Sequence, residues 1–335
     1  RDFLRAGAAA AAAGLIARGA VAAQGLSPLP SNPVTPRAMP TRNLGRTGYS
    51  VGIFSLGGQA AVEQAENERV AVPIVERALD LGANYIDTAA RYGGDARWSQ
   101  RYIGQVMKRR RGEAFLASKT HDRTRDGSLK LLEESLKLLQ TDHLDLWQIH
   151  NLARKEELDQ IFAPDGAVKA LLEAKERGLV RFIGVTGHAD PEVLMEAIRR
   201  GPFDTILLAL NAADRHHLSF SEKLLPLAVE KEMGIIGMKI PARGRLLSGW
   251  APPADAKARR PSDKGPGTID MREALRYVLS HPVSTVIIGC DTVAQVEENV
   301  ALARGFNPLS PAQMAELEAR TAPIREQALF FRRWS

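Results

Sequence analysis

The chain has 335 residues, 44% of them hydrophobic and 25% charged, with a formal net charge of +6. That length suits one large α/β barrel, and the balance is that of a globular protein rather than a disordered or fibrous one. The charge excess is mild and its one tight cluster, Lys108 to Arg111, falls at a predicted helix end, where cations favour the negative end of the helix dipole. Nucleic-acid binding, which needs clustered basic residues on one face, is therefore not expected. A single cysteine, Cys290, excludes an internal disulfide and a cysteine-built zinc site. Asp214-Arg215-His216-His217 are adjacent, so their side chains diverge; they read as a rim group and no metal is expected.

Taken in chain order, residues 1–23 read as an export signal. A charged start, Arg1 to Arg5, precedes an Ala-rich run from Ala6 to Ala17, and Ala20-Val21-Ala22 matches an A-x-A cleavage site. The apolar run is too short to span a bilayer, so no membrane span is expected in the mature chain. The start resembles a twin-arginine signal, of whose arginine pair only Arg1 is present, and the chain does not begin with Met. An exported or periplasmic location follows from this reading, with a cytoplasmic one as the alternative. Residues 24–40, rich in Pro, Ser and Asn, read as a linker, and residues 41–335 as one barrel domain.

From residue 41 short apolar runs alternate with amphipathic helices. A hairpin over 42–51 closes a barrel floor. Strands are predicted near 51–56, 83–88, 114–119, 144–150, 180–186, 205–210, 234–240 and 284–289. Helices are predicted near 70–81, 97–110, 128–140, 166–177, from Pro191 onward, 219–231, 270–280 and 291–303. Asp190 before Pro191 is a credible N-cap with proline at the first helical position. The segment 251–268 reads as a long loop, and an extra C-terminal helix covers about 311–328. Eight strand–helix repeats favour a single (β/α)8 TIM barrel, and the sequence has no G-x-G-x-x-G to support a Rossmann domain.

Four ionisable residues sit at or just past predicted strand ends: Asp87, Tyr92, Lys119 and His150. In such a barrel the active site lies at the C-terminal ends of the strands. An acid, a phenol, an amine and an imidazole gathered there suit proton transfer to a carbonyl oxygen. Tyr92 is the natural donor, and a nearby ammonium, Lys119 held by Asp87, lowers a phenol's pKa. His150 can orient the substrate oxygen and stabilise charge growing on it.

The motifs around these residues resemble the aldo/keto reductase family over about residues 41–328. They are Asn84-Tyr85-Ile86-Asp87-Thr88-Ala89 with Tyr92-Gly93, Ser118-Lys119, Leu138 to His150, and Gln295-Val296-Glu297-Glu298-Asn299. The resemblance implies carbonyl reduction by a nicotinamide cofactor, NADP with NAD as the alternative, on a small-molecule carbonyl substrate. It implies catalytic roles for Asp87, Tyr92, Lys119 and His150, and cofactor contacts from Thr186, Asn211, Met238, Arg243, Arg245, Gly289, Gln295, Glu298 and Asn299. Oligomeric state is not implied. A nucleotide-sensing regulatory subunit of the same fold, with little turnover, is the alternative function.

The chain departs from the family at several of these places. Gly184-Val185-Thr186-Gly187-His188 stands where Gly-Val-Ser-Asn is usual, so one amide-binding side chain is missing. Leu207 takes the place of a glutamine, with Asn211 as a substitute. Met238 stands where an aromatic ring stacks on the nicotinamide, and Met packs softly on a ring. Gly289 to Gln295 carries no Arg or Lys for the extra phosphate of NADP, and Asp291 repels one. Trp98, Trp250 and His188 are candidate pocket residues, and Phe330, Phe331 and Trp334 are expected to anchor the C-terminus, with folding over a pocket as the alternative. The leader reading predicts a mature chain beginning near Ala23; N-terminal sequencing of the protein from fractionated cells checks it, and a cytoplasmic chain with residues 1–22 intact overturns it.

Overall fold

A computed structural model describes residues 26–255, 257 and 259–333. The export-signal residues and Trp334 lie outside them. Eight parallel strands close into one barrel: β3 (Phe54–Gly57), β4 (Tyr85–Asp87), β5 (Phe115–Thr120), β6 (Leu144–Ile149), β7 (Val180–Gly187), β8 (Thr205–Ala209), β9 (Gly234–Met238) and β10 (Thr285–Ile288), with β10 pairing back onto β3. These strands are apolar runs almost wholly buried, as parallel strands covered on both faces must be. Every predicted barrel strand is present, most of them one to three residues shorter than their apolar runs.

The predicted hairpin is β1 (Thr41–Asn43) against β2 (Ser50–Gly52), antiparallel across the barrel floor. Gly45 approaches so closely that a Cβ there would lie 2.1 Å from Gly234 N, and its φ of +56° also favours glycine. Asn84 fastens the hairpin, accepting from Gly52 N at 2.9 Å and donating to Ser50 O at 2.9 Å. Above it Tyr49, Tyr85, Phe115 and Phe182 stack through the interior, with ring centroids 4.7–6.0 Å apart.

Part of the stretch read as linker is built into the domain. A short helix, α1 (Thr35–Ala38), forms there, and Asn32, Thr35, Ala38 and Met39 are buried. Asn32 donates to Leu79 O at 2.8 Å, a contact 47 residues away that composition does not announce.

The outer helices are α2 (Glu68–Asp80), α3 (Trp98–Arg110), α4 (Arg125–Leu139), α5 (Lys155–Phe162), α6 (Ala167–Glu176), α7 (Pro191–Arg200), α8 (Leu224–Glu230), α9 (Met271–Leu279) and α10 (Val293–Arg304). Asp190 caps α7 as its sequence indicates, accepting from Glu192 N at 2.8 Å. Helix α5 was not expected; it is eight residues long and lies in the loop after β6. The basic run ending α3 is tied down rather than merely solvated. Arg110 pairs with Asp80 and Glu113, and Arg111 with the fully buried Asp145, each at 2.7 Å.

The expected terminal helix is broken into α11 (Pro311–Thr321), a 3-10 turn over Ala322–Ile324, α12 (Arg325–Ala328) and a last 3-10 turn, Phe330–Arg333. Pro323 interrupts it, since proline removes a helical donor and clashes with the preceding turn. The tail is anchored in the core. Arg332 is buried and pairs with Asp214 at 2.5 Å, and it donates to His188 O at 2.7 Å and Ala209 O at 3.2 Å. Asp214 thus serves as the tail's counter-ion, while His216 Nε2 contacts Glu318 O at 2.8 Å, so these neighbours diverge. Among the described residues no helix is long and apolar enough to cross a membrane. Arg332→Ala is expected to cost about 3–5 kcal/mol in denaturant unfolding, because it strands Asp214 in the interior without its cation.

Candidate active site

The catalytic candidates arrive from three neighbouring strands. Asp87 ends β4, Lys119 is the fifth residue of β5, and His150 follows β6. Tyr92 comes from the β4–α3 loop. Gly93 and Gly94, with φ of +86° and +65°, turn that loop sharply, and a Cβ on Gly93 would lie 2.5 Å from Trp98 N. The turn swings Tyr92 back over the mouth.

The structure brings all four together. Lys119 Nζ donates to Asp87 Oδ2 at 2.5 Å, to Thr88 O at 2.8 Å and to Tyr92 Oη at 3.4 Å. The rings of Tyr92 and His150 meet edge to face, 5.7 Å apart. Asp87 and Lys119 are each 1% exposed. Burial raises the Asp87 carboxyl's pKa and lowers that of Lys119, while their contact holds the charged forms against it.

Tyr92 differs from the sequence expectation. Burial, reinforced by the charges of Asp87 and Glu63, raises its pKa well above the usual value. The ammonium of Lys119 is near but already committed to Asp87, so Tyr92 remains a protonated phenol. His150 is pushed well below its ordinary value by burial, then by the Lys119 charge, and is a neutral imidazole.

A cleft of about 530 Å³ opens over these groups. Gln59, Glu63, Tyr92, His150, His188 and Lys239 line its centre, and Arg91, His121, Arg123, Asn151, Arg154 and Glu157 extend it to one side. His188 is thus a pocket residue, with Nδ1 2.8 Å from Asn151 Oδ1. Trp98 instead stacks on Tyr102 with centroids 5.7 Å apart, and Trp250 packs beside Arg245. Phe330 and Phe331 are buried and anchor the terminus.

The expected cofactor residues divide. Thr186 is buried at the end of β7 and its hydroxyl accepts from Asn151 N at 2.7 Å, which leaves its own proton to donate. Met238 ends β9, buried beneath the mouth. Arg243, half exposed, lies 3.8 Å from Glu63. Gly289, Gln295 and Glu298 are exposed at the start of α10, whose N-cap Thr292 accepts from Gln295 N. Asn299 is buried and donates to Cys290 Sγ at 3.5 Å, a thiol that burial pushes up to about 12.

Two of them are engaged elsewhere. Asn211 donates to Lys239 O and Ala328 O, both at 3.3 Å, and accepts from Ala213 N; it ties the β8 turn to the tail and has no donor left for a nicotinamide amide. Arg245 is a bidentate partner of the buried Asp263, at 2.7 and 2.9 Å, which neutralises it within its loop.

Sequence reading missed Lys239, Gln59, Arg91, His121 and Arg123. Each follows a strand, so the strand-end rule that selected His150 also points to them. Lys239 has a φ of +63°, unusual for a residue with a side chain, and its Nζ donates to Gln59 Oε1 at 3.0 Å.

A closed parallel barrel with an ionisable cluster at its C-terminal mouth defines a barrel enzyme. Comparison with known proteins places it further. The aldo/keto reductase family pattern matches residues 50–321. The L-galactose dehydrogenase of Arabidopsis thaliana is 30% identical over 314 residues, covering 85% of this chain and 95% of that protein. An uncharacterised oxidoreductase of Bacillus subtilis is 25% identical, covering 85% and 96%. The holo form of an aldo-keto reductase from Bacillus halodurans superposes with a TM-score of 0.68 at 25% identity, covering 84% of this chain and 96% of that one. The chain belongs to the aldo/keto reductase family and is an oxidoreductase of that family.

Lys239 generates a pH prediction. Burial first, then Arg243 and Lys119, push its amine down to about 7, with Glu63 and Asp87 opposing. Between that value and the ordinary 10.5 the unfolded chain holds more protons there than the folded one, so its contribution to stability rises with pH. Lys239→Met is therefore expected to raise the melting temperature at neutral pH, with the gain shrinking as pH approaches about 10. Thermal melts across that range measure it; a gain that grows with pH contradicts the assignment.

Proposed function

We propose that the protein is an NAD(P)H-dependent carbonyl reductase in which Tyr92 protonates the oxygen of an aldehyde or ketone. The observation that carries this reading is the buried Asp87–Lys119 pair directly beneath the Tyr92 hydroxyl. A bound nicotinamide dinucleotide supplies the hydride, which no side chain can.

The residues at the ends of β7, β9 and β10 fit such a cofactor. Thr186 keeps a hydroxyl proton for an amide carbonyl, and Met238 offers an apolar surface. Lys239 and Arg243 supply positive charge for a pyrophosphate, and the free amides at the start of α10 favour an anion. Gln295, Glu298 and Asn299 suit the adenosine end. Asn211 and Arg245 are not part of this reading. NADP is the preferred form, with NAD as the alternative because Asp291 is exposed beside α10 and no cation precedes it.

The chain's own residues then divide the work. His150, neutral, donates to the carbonyl oxygen and sets its angle. Tyr92 gives its proton as negative charge grows on that oxygen. The phenolate so formed lies 3.4 Å from Lys119 Nζ, whose positive charge stabilises it only once it exists. A tyrosine that is neutral at rest and stabilised as its anion forms contributes selectively to the transition state.

Tyr92→Phe is expected to lower carbonyl reduction by about 10²–10⁴-fold while the fluorescence titration with NADPH and NADH is unchanged. Turnover near the wild-type rate overturns the role given to Tyr92. Equal failure to bind either dinucleotide in the wild type overturns the reductase reading itself.

A further inference from the structure

We propose that the substrate carries a carboxylate, and that Arg123, with His121 and Arg91, receives it across the mouth from the cofactor side. The inference deepens the reductase reading and rests on it for the location of the reacting carbonyl at Tyr92 and His150.

The barrel order gives the first argument. Going round the closed sheet, β10, β3, β4, β5, β6, β7, β8, β9, strand β6 lies diametrically opposite β10. Arg91 follows β4, and His121 and Arg123 follow β5. β4 and β5 lie two and three strands from β10 and three and four from β9, so these groups line a different part of the mouth from α10, Arg243 and Lys239. A second positive region in one cleft calls for a second anion.

The construction of Arg123 gives the next. Its Nε and Nη2 donate to Glu157 Oε1 at 3.0 and 2.7 Å, and Nη2 also reaches His150 O and Asn151 O at 3.0 and 3.1 Å. Glu157 is in turn saturated, its Oε2 accepting from Ala153 N and Arg154 N at 2.9 and 3.0 Å. The guanidinium is thus fixed in plane by four contacts, yet Nη1 is buried and has no hydrogen-bond partner among the described residues. A buried cationic nitrogen without an acceptor is costly unless something else satisfies it. His121 Nδ1 is buried and unpartnered in the same cleft.

The charges agree. With Arg123 and Glu157 neutralising each other, Arg91, Arg154 and Lys239 line the cleft against Glu63 alone. Arg91 lies close enough to lower the pKa of both His121 and His150. A neutral polyol has no use for this arrangement. A carboxylate oxygen matches the unpartnered Nη1 of Arg123, and charge-assisted hydrogen bonds of this kind are about twice as strong as neutral ones. Arg123 also holds the carbonyls of His150 and Asn151, so the site that takes the carboxylate is rigidly joined to the imidazole that orients the carbonyl.

The test compares acids with their methyl esters, which have the same carbonyl and nearly the same shape. 4-Formylbenzoate and phenylglyoxylate, each against its ester, are assayed with NADPH and NADH. At least one acid is expected to exceed its ester in kcat/KM by tenfold or more. That ratio is expected to fall roughly 10–100-fold in Arg123→Gln, and by only a few-fold in Arg91→Gln at the exposed rim. Arg123→Lys, which retains charge but not the fork, gives an intermediate ratio and guards against misfolding, with melting temperatures read for all three. Calorimetric titration with benzoate is read alongside and requires no turnover. Tighter benzoate binding to the wild type than to Arg123→Gln supports the anion site even if no carbonyl is reduced, in which case the reductase reading is what fails. Esters reduced as well as both acids, with ratios unmoved by Arg123→Gln, overturn the proposal and leave the reductase reading standing.

Discussion

Lys119 and Asp87 can be charged inside the barrel only because each is the other's partner. Both are 1% exposed, and either one alone would lose its charge to desolvation. Their 2.5 Å contact spans two adjacent strands, β4 and β5, so it depends on the register that sets Asp87 beside Ala117. Everything at the mouth is arranged about this pair. Tyr92 is turned over it by two glycines, His150 comes from the next strand, and the neutral state of both rings follows from being buried beside it. A pair with less burial would be screened and would exert little influence on a phenol; a lone buried lysine would not remain protonated.

The mouth has two sides because the barrel is closed. Strands β9, β10 and β3 bring Lys239, Arg243, Gln59 and the start of α10 together, while β4, β5 and β6 bring Arg91, His121, Arg123 and Glu157. The ionisable cluster comes from the strands of the second group. On the reading proposed above, hydride donor and substrate approach from opposite directions and meet at His150 and Tyr92. Helix α5 helps to define the substrate side, since Glu157 in its first turn is what fixes Arg123.

The C-terminal tail has a part in holding this geometry. Arg332 pairs with Asp214 at the C-terminal ends of β7 and β8, and it also holds the carbonyl of His188, a cleft residue. Burial lowers the guanidinium to about 10, still protonated at neutral pH, with the Asp214 charge supporting it. Asn211 binds the tail again at Ala328 O. The β7 and β8 ends are thus fastened by residues distant in sequence, and both amide hydrogens of Asn211 are used in doing so.

The sequence by itself determined the barrel and its four central residues. Strands buried on both faces are continuous apolar runs, and eight of them alternating with amphipathic helices leave little choice of fold; residues just past those runs must lie at one mouth, which is why Asp87, Tyr92, Lys119 and His150 were legible together. What the tertiary structure decided is what those runs do not encode. The burial of Asn32 depends on a contact to Leu79, 47 residues away, and the path of the tail after the Pro323 break on the pairing of Arg332 with Asp214. The hydrogen-bond partners of Asn211 and Arg245, Ala328 and Asp263, are far apart in sequence or hidden in a loop of no regular period. Whether Tyr92 rests as a phenol or a phenolate is a balance of burial against the nearest charge, and that charge was already taken by Asp87. Arg123 and Lys239 followed strands no less plainly than His150, but a basic residue in a loop looks the same in sequence whether it points to solvent or into a cleft, and only the closing of the barrel distinguishes the two.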